Sequence, residues 1–373
     1  MPMNRLGLLL AIACVVSLCG IASTQDRGWA TAIAWSPNGE TIAVGSTTGV
    51  WFFDNDFVEI GFVATPQLNG YPPTTLDWNA ASDMVVVANA HQLSAAILVV
   101  GLRTGTVLTH IEKAPRSNVR WHPEEDVIVV AVWAGIIALD AISGEQVYIY
   151  SDLESPSSNS ISDYWAVCWL SGEIVAAMDP WTIWIVDIAR GTRLRILSDM
   201  DLLLYVTTHS GVDCHGRDRL VSIYAGLVDL ETGETIKPKT SAVTFHDYGS
   251  AFVDVAWSPD GKRYLTNGNV GLCRIAVFDG RTNELLAELQ GSYSREIDVS
   301  TYSDSVTWRP DGSQFAVVGQ FDIRVWDART YELVQRYDGF EVGYHYRTDP
   351  DPKFTEADRL KEMLPNSTKC PGK

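Results

Sequence analysis

Positive charge is what this sequence has least of: 28 Lys and Arg stand against 46 Asp and Glu, a net charge of −18 over 373 residues. A surface that neutralises a phosphate backbone or an anionic lipid headgroup needs clustered Lys and Arg, so the balance argues against nucleic-acid and membrane-surface binding. Catalytic motifs are missing as well. There is no G-x-S-x-G elbow, no Gly-rich phosphate loop, no H-E-x-x-H pair and no D-x-D-x-D-G calcium loop. Cysteine is scarce, and beyond the N-terminal segment Cys168, Cys214, Cys273 and Cys370 are spaced by 46, 59 and 97 residues, which fits no metal-binding pattern. No catalysis, no cofactor and no metal site are therefore expected. Helical periodicity is also absent from the body of the chain, which leaves short strands as its building material.

What is present begins with residues 1–24, where Arg5 precedes an apolar run from Leu6 to about Ile21 and the small residues Gly20, Ala22 and Ser23 follow. This is the pattern of a signal peptide cut near Ala22 to Thr24, and it places the chain in a secreted, periplasmic or cell-surface setting. The alternatives are a retained anchor or lipid attachment at Cys19, although Leu18 sits where a lipoprotein signal carries a small residue. No span is expected in the mature chain.

Lining up the tryptophans exposes a repeat. "IAWSPNGE", "LDWNAASD", "VRWHPEED", "VCWLSGE", "VAWSPDGK" and "VTWRPDGS" share one frame, with Trp35, Trp78, Trp121, Trp169, Trp257 and Trp308 separated by 43, 43, 48, 88 and 51 residues. The long step hides one further copy, "VDCHGRD", in which Cys214 takes the tryptophan position and divides 88 into 45 and 43. In the second half of each unit an apolar run ends in Asp54, Gly101, Asp140, Asp187, Asp229, Asp279 or Asp327 and a turn such as "RTGT" or "ETGE" follows. Seven units of this length, each with four apolar runs parted by Gly, Asn and Pro turns, predict an all-β, seven-bladed propeller over residues 25–337. Residues 338–373 form a tail in which Thr355 and Asp358 fit the capping box of one short helix. The chain is expected to be monomeric.

"WSPNG", "WSPDG" and "WRPDG" at the first turn, with Trp326-Asp327 in "IRVWDARTYELV", resemble the WD-repeat propeller family and its exported bacterial relatives. The likeness covers about Ala30 to Tyr337. The family's Gly-His dipeptide is missing from every unit, so its hydrogen-bond network is not carried over. What the resemblance implies is the fold, because propellers host many unrelated activities.

Strand order separates two faces. One carries the a–b and c–d turns, all short enough for tight hairpins, whereas the other carries longer and more variable b–c and d–a connections. Binding residues concentrate on loops of the second kind. There lie Tyr71, His91, Trp133, Tyr164, Trp165, Trp181, Tyr205, His209, His246, Tyr248, Tyr293, Tyr302 and Phe321, among charges such as Arg116, Asp163, Asp179, Asp247, Arg295 and Asp298. Aromatics amid polar groups make a protein or glycan contact surface. The expected function is an exported scaffold whose partner is a protein, such as a cell-surface or envelope component. The alternatives are a propeller enzyme, a hydrolase or quinone-type sugar dehydrogenase with its site at the central channel, and a structural subunit of an envelope assembly.

Three expectations concern the inner strands. Asp77 and Arg120, each just before a repeat tryptophan in adjacent units, are expected to pair across their interface. Cys168 and Cys214 also lie on adjacent inner strands. Facing sheets stack about 10 Å apart, whereas a disulfide requires Cα atoms within about 7 Å, so no bridge is expected. "CHGRD" reads as a degenerate tight turn, which places His215 away from the binding loops. Cys273 and Cys370 remain free to pair.

Overall fold

A computed structural model describes residues 27–68, 73, 75–89, 96–112, 118–132, 135–151, 166–178, 182–197, 212–216, 219–222, 226–236, 254–267, 274–290, 305–319 and 322–340. The expected signal peptide and the expected tail helix both fall outside the described residues. Within them the chain is an all-β propeller of four-stranded antiparallel blades. Seven such sheets are present, each with its strands in chain order, a to d. The inner, a strands are Ala30–Trp35, Thr75–Trp78, Val119–Trp121, Ala166–Ser171, Val212–His215, Val255–Trp257 and Val306–Trp308. Each packs against the next, and the last packs against the first. Sheets are numbered here by these strands.

Burial follows the layering. The middle strands Val127–Val132 and Gly135–Asp140 pair without a break from Val127↔Asp140 to Val132↔Gly135 and are almost wholly buried. Neighbouring sheets cover both of their faces, so the long apolar run through Ile142 is a hairpin and not a span. Outer strands alternate instead, as in Thr106–Ile111, because one of their faces meets solvent. The core lies between sheets: Phe52 and Val50 of sheet 1 pack with Trp78, Val85 and Leu98 of sheet 2.

The repeat aspartates shape the c–d turns. Asp279 Oδ1 accepts the main-chain N–H of Arg281 at 2.9 Å and of Thr282 at 2.7 Å. Asp140, Asp229 and Asp327 repeat this geometry on their own turns. Main-chain hydrogen bonds to the charged form hold all four carboxyls below the usual carboxylate range. The turn then enters left-handed backbone, at Gly144 with φ 72° and at Gly233 with φ 79°, where glycine is unstrained. Phe57 takes the same conformation in sheet 1, with φ 57°. It stacks on Tyr337 of sheet 7 at 5.1 Å between ring centroids, so packing across the seam offsets the backbone strain.

An Asp279→Ala variant should lose about 1–2 kcal/mol of stability at pH 7. Asp279's folded pKa is depressed, so its contribution is present above the unfolded value of 3.8 and is lost as pH falls through the lower folded value. Denaturant titrations should find the two proteins closest at the lowest pH at which both fold.

Candidate functional site

All thirteen aromatic and histidine residues of the expected contact surface, from Tyr71 to Phe321, lie outside the described residues, as do the six charges among them. The strand ends that flank them are described. His91, Trp133, Trp181 and Phe321 each fall between the b and c strands of one sheet. The other nine fall between the d strand of one sheet and the a strand of the next. Pairings such as Ala30↔Ser46 and Gly49↔Ala64 put the start of a, the end of b, the start of c and the end of d along one rim. The strand ends that these connections join therefore lie along one rim.

On the opposite rim, several of the described hairpins pair their polar groups within the turn itself. Besides the aspartate-capped c–d turns, Gly39 N donates to Ser36 O and Ser36 N to Thr41 O, both at 2.8 Å. His122 Nδ1 accepts from the N–H of Glu124 and Glu125, which leaves Nε2 as the donor to Gly172 O of sheet 4 at 3.0 Å. His215 has a related role at the seam between sheets 5 and 6. Its ring lies 5.7 Å from that of Trp257, and it occupies the space that a Cβ on Gly261 would need. The imidazole of "CHGRD" thus fills an inter-blade contact on the tight-turn side.

Titratable groups do converge near the axis. Arg120 extends from sheet 3 so that Nη1 donates to Thr75 Oγ1 of sheet 2 at 3.3 Å and Nη2 to Val212 O of sheet 5 at 3.4 Å. Its charge acts on three carboxylates, Asp77, Asp213 and Asp254. Each carboxylate joins two blades. Asp77 Oδ1 accepts from Trp78 N at 3.0 Å and its Oδ2 from Trp121 N at 2.7 Å. Asp213 does the same with Cys214 N at 3.0 Å and Trp257 N at 2.8 Å, and Asp254 with Val255 N at 3.0 Å and Val306 N at 3.2 Å. These side chains lie inside the ring yet keep part of their surface exposed. Burial raises all three carboxyls, Asp213 to about 6, against the opposing pull of Arg120 and of the main-chain donors.

The expected link between Asp77 and Arg120 is thus electrostatic, with no direct ion pair between them, because the hydrogen bonds of Asp77 go to main chain and those of Arg120 go elsewhere. Asp254 was missed by sequence reasoning, since it stands three residues before its tryptophan and not one. With every carboxylate accepting two main-chain amides, the arrangement is a brace across the axis. Among the described residues no group of three His, Cys, Asp or Glu side chains is placed to hold a metal ion.

The expectation for the cysteines is overturned. Cys168 and Cys214 form a disulfide, with Cα atoms 5.8 Å apart. The spacing of stacked flat sheets does not apply here, because propeller sheets converge toward the axis and their inner strands approach far more closely than their outer ones.

Residues 16–150 match the family of the eukaryotic translation initiation factor eIF2A. Among solved structures the chain is similar to hydrazine synthase of Kuenenia stuttgartiensis, at 16% identity and a TM-score of 0.62 over 84% of this chain and 99% of that one. At that identity the likeness speaks for the propeller fold alone. No curated protein sequence matches the chain.

An Arg120→Met variant leaves three buried carboxylates without their cation and should lose about 3 kcal/mol at pH 8. Asp213's folded pKa lies above the unfolded 3.8, so its stabilisation is complete below about pH 4 and is lost as pH rises through about 6. Loss of Arg120 raises these values further, so thermal melts should show the variant's deficit growing from pH 4 to pH 8. A deficit independent of pH would contradict the brace.

Proposed function

We propose that the seven sheets complete a seven-bladed ring that acts outside the cytoplasm as a binding scaffold, without catalysis, and that it takes a protein or glycan partner on the face of the longer connections. The observation that carries this reading is the asymmetry of the two rims. On the tight-turn rim, main-chain donors are capped by Asp140, Asp229, Asp279 and Asp327 and by the His122 and Ser36 turns. A partner would have to displace those bonds to gain its own. The other rim receives the variable connections that carry Trp133, Tyr164 and Trp181, side chains of the kind that anchor interfaces.

Two further observations support the export element of the reading. The Cys168–Cys214 disulfide suits an oxidising compartment, and residues 1–24 carry the Arg5 and apolar-run pattern expected of a signal peptide. Closure of the ring is supported by Ser305 and Thr307 of sheet 7, whose hydroxyls bond Ile33 O and Trp35 N of sheet 1, each at 3.3 Å.

Proximity crosslinking in the native host tests the face. The wild-type chain should enrich one or a few extracytoplasmic partners, and a Trp133/Tyr164/Trp181 triple alanine variant that folds normally should lose them by tenfold or more. An unchanged partner list would sink the assignment.

A further inference from the structure

The repeat tryptophan has a second use besides packing. At four seams its indole Nε1 donates to the main-chain carbonyl of the residue that precedes the tryptophan position in the previous blade. Trp78 reaches Ala34 O at 3.0 Å, Trp169 reaches Arg120 O at 3.3 Å, Trp257 reaches Asp213 O at 3.2 Å and Trp308 reaches Ala256 O at 3.0 Å. In the same register the seam between sheets 4 and 5 would join position 214 to position 168. Both are cysteine, and they are bonded. Cys168 is buried at 2% exposure, and both sulfurs belong to the apolar cluster of Ala166, Met178, Val212 and Val228 that fills this seam.

We infer that the Cys168–Cys214 disulfide is a covalent replacement for the indole staple, and that it makes one seam of the ring dependent on redox state. Losing the tryptophan from one blade removes both an aromatic filler and a hydrogen bond across the seam. A pair of cysteines at these two positions restores the link at the same place, whereas a cysteine at either position alone would not. Under a dithiol reductant the S–S bond breaks, each sulfur takes a proton as it becomes a thiol, and the reductant closes its own disulfide. The seam between sheets 4 and 5 is then left without an inner-strand staple, while the four indole-linked seams keep theirs.

The test uses a Cys273→Ser/Cys370→Ser background, so that no bridge involving those two can contribute. Thiol titration of the unfolded, unreduced protein should find Cys168 and Cys214 unreactive. Adding dithiothreitol should lower the melting midpoint by about 5–10 °C, as expected for opening a closed loop of this length in a domain of this size. Cys168→Ala/Cys214→Ala should melt with the reduced protein and ignore the reductant. Cys168→Ala/Cys214→Trp should also ignore the reductant but recover at least half of the lost midpoint. Reactive thiols at Cys168 and Cys214 in the oxidised protein, or a midpoint that reductant leaves in place, would overturn the inference. A tryptophan variant no better than the alanine variant would overturn the equivalence of the two staples.

Discussion

An inner strand of a propeller pairs on one side only, and its other edge points its main-chain amides toward the axis where no further strand can reach them. Unpaired amides at a strand edge are costly to bury and open to wrong pairing. Everything else in this ring depends on how the edge is satisfied. Asp77, Asp213 and Asp254 each lend one carboxylate oxygen to an amide of the next blade. Asn118 bonds both the N–H and the carbonyl of Val167 at 2.8 Å, and Thr307 serves Trp35. One small set of polar residues thereby sets the register between neighbouring sheets while the apolar clusters between them supply the bulk of the cohesion.

That solution places negative charge where it is least welcome. Three carboxylates near the axis resist ionisation, and Arg120 is the group that makes their charge tolerable. Its hydrogen bonds to sheets 2 and 5 tie together blades that are not neighbours. The longer connections, with their varied lengths and aromatic residues, carry the proposed binding role, as is usual for loops on a rigid scaffold.

Much of this was legible in the sequence because the repeat is written in residues with a local job. The tryptophan spacing gave the units, including the one in which Cys214 replaces the indole, and Asp140 or Asp279 marked a turn that its own carboxylate caps. Contacts between blades were harder to read. Asp77 and Arg120 were visible as neighbours, but the reach of Arg120 to Val212 O crosses 92 residues of sequence and depends on ring curvature that no local pattern encodes. The Cys168–Cys214 bond was excluded for a related reason: a spacing taken from parallel stacked sheets was applied to sheets that converge. The residues of the proposed contact face were named from loop length and residue type alone, which carry no sign of how they are arranged.

The central claim is that side chains of one blade hold the edge amides of the next. Native-state hydrogen exchange read residue by residue addresses it directly. The amides of Trp121, Val167, Trp257 and Val306, whose acceptors are side chains of the preceding blade, should exchange only through opening of the whole ring and fall in the slowest class. Exchange of these four at the rate of outer-strand edge amides would contradict the account.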